Sequence, residues 1–314
     1  MDIESVEFHG HRAVRLSNGI VELKVLTGLG PRVIAFGFYN DENEFKVYPE
    51  QLAAAGRKWA NFGGGRLWIA PETSRTYFPD HAPVEMRRNG DMVSFLAPPE
   101  TWPDGVRLQK EIRLRLAEAG VEVNYRIANL GRRALRLAPW AISVMAPGGT
   151  AILPLPPRAP WGAKNFLPNG SLIIWPYTDL SDRRWVRGQQ YLSLRQLTRP
   201  RTNYPWQKIG IHHAGAWLAY YRRGHLFIKQ AGPAQPAAEY PDFGCHYEVY
   251  TNPQMLELES LGPLGNLAPG KAVTHRERWG LWRDVPAGAG DGWIEREIAN
   301  RAKAMRAGRR KPHG

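Results

Sequence analysis

Residue types able to do chemistry gather in two short segments. The first, 61–72, reads Asn-Phe-Gly-Gly-Gly-Arg-Leu-Trp-Ile-Ala-Pro-Glu. Three consecutive glycines let a backbone approach a ligand closely, and Arg66, Trp68 and Glu72 follow at once. An indole stacks on the apolar C–H face of a pyranose. A guanidinium and a carboxylate make the directed hydrogen bonds that hydroxyls, or an acidic or phosphorylated substituent, require. A phosphate-loop reading lacks support, because no GxxxxGK[ST] pattern is present. The plain alternative is a glycine turn with Trp68 in the core.

The second segment, 242–263, contains Leu256-Glu-Leu-Glu-Ser-Leu. If it is extended, Leu256 and Leu258 share one face and Glu257 and Glu259 the other. Paired carboxylates repel unless cations, hydroxyls or a raised pKa offset them. On a buried, ligand-lined face one of them becomes a general base; on an exposed face they are a solvated edge. Periodicity does not say which glutamate is central. A histidine would be the natural acid partner, since its pKa lies near neutrality. His212 and His213 close the run 208–212, and as neighbours on a strand they face opposite ways. His246 is the preferred acid, because a turn at Asn252-Pro253 brings its strand beside that of Glu259; His275, near a strand end, ranks lower. These histidines have no compact metal-ligand spacing, and the single cysteine, Cys245, forms neither a CxxC pair nor an internal disulfide. No metal and no cofactor are expected.

Strands must position these groups. Alternating runs flank Asn18-Gly19, Asn89-Gly90, Ala119-Gly120 and Arg223-Gly224, each a hairpin signal. Val121, Val123, Tyr125 and Ile127 alternate with Glu122, Asn124 and Arg126, the period of a half-buried strand. Further strand-like runs cover 32–39, 134–145, 172–175, 191–197, 208–212, 245–250, 255–261 and 272–282. The reading is an all-β antiparallel sandwich in one domain over 1–290, followed by an amphipathic helix over 291–308 and a basic tail over 309–314. The proline-rich stretch 146–170, with 49–66 and 230–243, reads as long loops over the sheet.

Composition narrows the function classes. The chain has 314 residues, 12 of them Trp, and 43% hydrophobic residues, too apolar for a disordered protein. Its formal charge is +13, of which residues 301–314 carry six with no acid. The remaining seven do not require nucleic acid, and the tail reads as a solvated end. Nucleic acid is therefore not the expected partner, although a scaffold or nucleic-acid-binding role for the tail is a third reading. No window approaches the roughly 18 apolar residues of a membrane span, and the N-terminus lacks a signal-peptide pattern. A cytoplasmic protein is expected.

Several motifs together resemble the galactose mutarotase-like superfamily, in an aldose 1-epimerase-like branch: the Leu-Ser-Asn-Gly hairpin at 16–19, Gly-Gly-Gly-Arg-Leu-Trp at 63–68, Leu-Ala-Pro-Trp-Ala-Ile at 137–142, Leu-Glu-Leu-Glu-Ser-Leu-Gly-Pro at 256–263, Leu-Ala-Pro-Gly-Lys at 267–271 and His-Arg-Glu-Arg-Trp at 275–279. The resemblance covers roughly 10–283. It implies a β-supersandwich with a sugar site on its concave face, and the expected partner is a small carbohydrate, for which Arg66 suggests an acidic or phosphorylated one. It also implies ring-opening anomer interconversion, with Glu259 of Leu258-Glu259-Ser260 as the base. The family's histidine motif falls on Pro139-Trp140-Ala141, so the acid must come from elsewhere, His246 being the candidate, or from a bound water. Arg66, Trp68, Glu72, Trp140, Glu257 and His212 are the expected sugar contacts. The alternative is a carbohydrate-binding module that has lost the acid.

Overall fold

The computed structural model describes residues 1–56, 58–162, 164–199, 205–213, 215–235 and 237–307. Local sequence explains the hairpins. Between strands His11–Ser17 and Val21–Leu26, Asn18 Oδ1 accepts the N–H groups of Ile20 and Val21, and Gly19 takes a positive φ of 81°. The other three hairpins form at their expected turns, joining Glu85–Asn89 to Met92–Leu96, Arg107–Ala117 to Gly120–Asn129, and Leu218–Arg222 to His225–Ala231.

The strands build two antiparallel sheets. The first runs Asp2–Phe8, His11–Ser17, Val21–Leu26, Arg32–Phe38, Gly64–Ala70, Leu135–Met145, Leu256–Leu261, Tyr247–Thr251, Gln207–His212, Ser171–Ile174. The second runs Trp185–Arg187, Tyr191–Arg195, Thr150–Pro154, Leu218–Arg222, His225–Ala231, Ala272–Trp282, Gly120–Asn129, Arg107–Ala117, Met92–Leu96, Glu85–Asn89. Between them lies the main core, in which Phe36, Phe45, Phe227 and Trp279 pack with ring centroids 5.4–6.1 Å apart. The expected all-β sandwich is what the chain forms.

One polar cluster interrupts that core. Lys229, fully buried on the second sheet, donates to the carbonyls of Ala141 (2.9 Å) and Leu258 (3.2 Å) and to Ser143 Oγ (3.1 Å) on the first, and pairs with Glu277 at 3.0 Å. Glu277 also accepts from Trp279 Nε1 at 2.8 Å, Tyr125 OH at 3.2 Å and Ser260 OH, while Ser260 Oγ lies 2.6 Å from His275 Nε2. Every member is paired, which is the condition under which such a network is tolerated in an apolar interior.

The loop expectations need correction. Within 146–170 the chain forms strand Thr150–Pro154, paired on both sides, with its proline at the final position, where an absent N–H does least harm. Within 49–66 lie a short helix, Pro49–Ala53, and the start of strand Gly64–Ala70. The glycine run serves backbone packing rather than ligand approach. Gly63 and Gly64 have φ of 84° and 72°, and a Cβ there would collide with the carbonyls of Lys46 and Val33. At the C-terminus, Gly290–Ile294, Glu295–Ala299 and Asn300–Ala307 form one helical run with a π-helical middle turn. Its Trp293, Ile294, Ile298 and Ala302 pack with Ile152, Tyr191 and Ile228 of the second sheet and with Trp217, just before a strand of that sheet. The basic tail, 309–314, lies outside the described residues. Among the described residues no helix is long and apolar enough to cross a membrane.

Candidate functional site

The face of the first sheet turned away from the core carries the candidate site. Strand alternation puts Arg66 and Trp68, then Trp140, then Glu257 and Glu259, then Glu248 and Tyr250, then Lys208 on that face. Their register is direct. Trp68 stands opposite Trp140, Ile142 opposite both Arg66 and Glu259, and Glu259 opposite Glu248. Glu257 and Glu259 do share a face, roughly 7 Å apart along the strand, and both are buried, at 8% and 0% exposure.

Glu259 is held from two sides. Its Oε2 accepts from Trp140 Nε1 at 2.8 Å and from Lys208 Nζ at 3.1 Å, while Oε1 is buried and accepts from no described group. Lys208 also lies 2.7 Å from Glu248 Oε2, bridging two carboxylates that would otherwise repel across the ladder. Burial pulls the Lys208 ammonium down, but Glu259 and Glu248 outweigh it and hold its pKa well above the ordinary lysine range. Burial raises Glu248 well above the usual carboxylate range, with Lys208 opposing and Glu259 adding to the rise. Gly210 makes room for this arrangement, since Cys245 Sγ and Glu248 Cγ fill the space a side chain would take.

The second half of the site surrounds Arg66, which is 1% exposed. Its guanidinium donates to Asn61 Oδ1 at 3.1 Å and Glu257 Oε1 at 3.5 Å, and lies over the rings of Trp68 (3.9 Å to the centroid) and Trp59 (5.4 Å). Burial lowers its pKa to about 10. Burial also pushes Glu257 up to about 7, against the pull of Arg66 and with the negative charge of Glu259 adding to the rise. Lys208 likewise sits against aromatic faces, 4.9 Å from the Trp140 centroid and 4.8 Å from that of Trp175. Loop residues complete the wall. Tyr77 packs edge-on against Trp59 and Trp68 and donates its hydroxyl to Glu72 at the exposed rim, and Tyr177 feels both Lys208 and Glu259.

Two hollows lie away from this face: about 710 Å³ over Asn124, Arg126 and Arg276 on the second sheet, and about 770 Å³ between Pro156, Pro157 and the C-terminal helix. Neither is lined by the two charged clusters.

The histidines are placed differently from expectation. The strand of His246 does lie beside that of Glu259, but the residue facing Glu259 is Glu248. The His246 ring is packed against Tyr247 (4.4 Å), Tyr240 (5.3 Å) and His212 (6.1 Å), and burial together with His275, His212, His213 and Arg306 lowers its pKa to about 3. Among the described contacts none joins this imidazole to Glu259. His212 falls on the Lys208 face but four residues along, roughly 13 Å away, against Tyr240 at 4.9 Å. His275 belongs to the buried cluster between the sheets. Among the described residues no three His, Cys, Asp or Glu side chains converge as a metal site. Sequence reasoning passed over Lys208, Glu248 and Tyr250. Their alternation with Ile209, Tyr247 and Val249 was readable; the strand each would meet was not.

No model of a known protein family matches the chain, and no curated protein matches its sequence. Its fold is nonetheless shared with solved structures. A proposed aldose 1-epimerase from Klebsiella pneumoniae superposes with a TM-score of 0.63 at 11% identity, covering 96% of this chain and 87% of that one. A galactose mutarotase-like protein from Lactobacillus casei gives 0.54 at 10% identity over 86% of this chain and 100% of that one. A galactose mutarotase related enzyme from Lactobacillus acidophilus gives 0.51 at 9% identity over 87% and 98%. At these identities the likeness establishes the galactose mutarotase-like fold.

Proposed function

We propose that the outer face of the first sheet binds an aldose and interconverts its anomers, as an aldose 1-epimerase does. The observation that carries this reading is the Glu257/Glu259 pair on one buried strand face, walled by tryptophans and differently partnered. Two carboxyls whose surroundings separate their roles are what acid–base work requires. Glu259 Oε1, the oxygen without a donor, takes the proton of the anomeric hydroxyl. Glu257, with its pKa near 7, gives a proton to the ring oxygen, filling the role expected of His246. The C1–O5 bond breaks, the C1 carbonyl forms, rotation about C1–C2 exposes its other face, and the steps reverse to close the other anomer. Trp140 and Lys208 fix the Glu259 carboxylate, while Trp68 and Trp59 offer stacking surfaces once Tyr77 and its neighbours yield to the sugar.

Exchange NMR between the anomers of glucose and galactose tests this. The wild type should exceed the buffer rate, and Glu259→Gln should lower the enzymic rate by about 10²–10⁴-fold, the usual worth of general acid–base catalysis. A wild-type rate equal to buffer across neutral aldoses removes the enzymatic reading. A second reading, binding without catalysis, is favoured by Trp140 standing where the family resemblance expects a histidine. Saturable sugar binding with no acceleration would select it.

A further inference from the structure

The outer face of the second sheet carries two arginines that the fold leaves without a carboxylate. On adjacent strands Arg126 stands opposite Thr274 and Asn124 opposite Arg276, so the four form two facing pairs with the arginines on the diagonal. Strand alternation turns all four outward, since their neighbours Tyr125 and His275 are buried. All four line the hollow of about 710 Å³, together with Gly232 and Pro233. Diagonal partners across a ladder lie about 7–8 Å apart, near enough for two long side chains to meet at one anionic group. Neither guanidinium makes a hydrogen bond or ion pair among the described residues. The carboxylates closest in register are taken. Glu111, opposite Arg126 on its other side, accepts two bonds from Arg113, each at 2.9 Å. Glu122, the outward residue before Asn124, accepts from Arg115 at 3.0 Å and lies 3.1 Å from Arg278. The residues outside the described ones include no Asp or Glu. Like charges set side by side on a sheet repel, and an anion held between them removes that repulsion.

The chemistry of the donors narrows the anion. Two guanidinium forks, a threonine hydroxyl and an asparagine amide suit a group with several acceptor oxygens. A carboxylate has two oxygens and one charge, which a single fork satisfies, whereas a phosphate monoester has three oxygens and close to two charges. The hollow is roomier than a lone oxyanion needs and falls within the roughly 300–1,000 Å³ of small-molecule sites. The outward positions 111, 113, 115, 122, 124, 126, 274, 276 and 278 include no aromatic ring on which a base could stack. We propose that this hollow binds a small phosphate monoester with a hydroxylated body, at a site separate from the aldose face on the other sheet. Arg126 and Arg276 clamp the phosphoryl oxygens, Thr274 and Asn124 donate beside them, and the remaining volume holds the body.

Calorimetric titration of the full chain at pH 7.5, where a monoester is largely dianionic, tests this with glycerol 3-phosphate, ribose 5-phosphate, glucose 6-phosphate and inorganic phosphate. At least one ester should bind, and more tightly than inorganic phosphate. Arg126→Gln/Arg276→Gln should weaken it by at least about tenfold, as expected for lost hydrogen bonds to a charged group. Arg12→Gln/Arg183→Gln, the same change of charge at exposed positions elsewhere, should leave it unchanged. No ester bound by the wild type, equal affinity for inorganic phosphate and the esters, undiminished binding in Arg126→Gln/Arg276→Gln, or a loss shared equally by both double variants overturns the proposal. Binding of an oligodeoxythymidylate but of no monoester makes the face a polyanion surface and overturns it too. Should Arg126→Gln/Arg276→Gln fail to fold, the exposed Arg276→Gln decides alone.

Discussion

At the residue scale, the site depends on what burial does to chemically identical groups. Glu257 and Glu259 sit two positions apart, yet Glu257 meets a guanidinium at 3.5 Å while Glu259 accepts from an indole and an ammonium. Burial leaves Glu257 with a pKa of about 7, above the usual glutamate range. An acid in that position donates below its pKa and fails above it, so the anomer-exchange rate should fall as pH rises through about 7. In Glu257→Gln that alkaline limb should disappear together with most of the rate. Rate–pH profiles of the two proteins check this, and an unchanged limb in the variant would assign the ionisation to another group. Arg66 was the residue expected to meet an acidic ligand. In the structure it is 1% exposed and its guanidinium is paired with Glu257 and Asn61.

At the scale of elements, the two sheets are fastened where the site lies. Lys229 reaches from the second sheet to the carbonyls of Ala141 and Leu258, the neighbours of Ile142 and Glu259 in facing strands. Those strands carry Trp140, Glu257 and Glu259. Lys229→Met would leave Glu277 a buried carboxylate without its cation, a change that costs about 3–5 kcal/mol. Lys229→Met/Glu277→Gln should regain part of that loss, because the uncompensated charge is gone. Urea denaturation of the wild type and both variants measures it, and a single variant as stable as the wild type would rule the fastening out. The glycines are a matching case. Read from sequence, 63–65 invited a ligand. In the fold they let strand Gly64–Ala70 pass close to Lys46 and Val33, so Gly63→Ala should destabilise by roughly 1–3 kcal/mol through its positive φ alone, with the backbone collision adding to it.

At the scale of the whole molecule, buried histidines tie stability to pH. His246 has a folded pKa of about 3 against an ordinary value of 6.5. Between those values the unfolded chain binds a proton that the folded chain does not, so stability is present in full above about pH 6.5 and is lost as pH falls toward 3. Glu257, raised to about 7, acts in the opposite sense: its contribution is full below about 4.5 and is lost as pH rises through 7. The histidine part is isolated by His246→Phe, an apolar ring for the same aromatic surroundings. Between pH 7.5 and 4.5 the variant should lose less Tm than the wild type; identical losses would show that His246 does not carry this effect.

Much of this protein was legible in its sequence because the information was local. Asn-Gly turns and the period of two in 121–127 implied antiparallel strands, and Leu256-Glu-Leu-Glu put both glutamates on one face, since backbone pleating depends only on the chain's own alternation. Thr150–Pro154 escaped because its pairing on two sides overrode a proline-rich context. The partners of Glu259 escaped for a related reason. Lys208, Glu248 and Trp140 stand 51, 11 and 119 positions from it, and only the order in which strands enter the first sheet brings them together. That order also placed Glu248, rather than His246, opposite the catalytic candidate. Alternation within a strand decides which way a side chain points; what it meets there is decided by long-range pairing and burial, which no short spacing encodes.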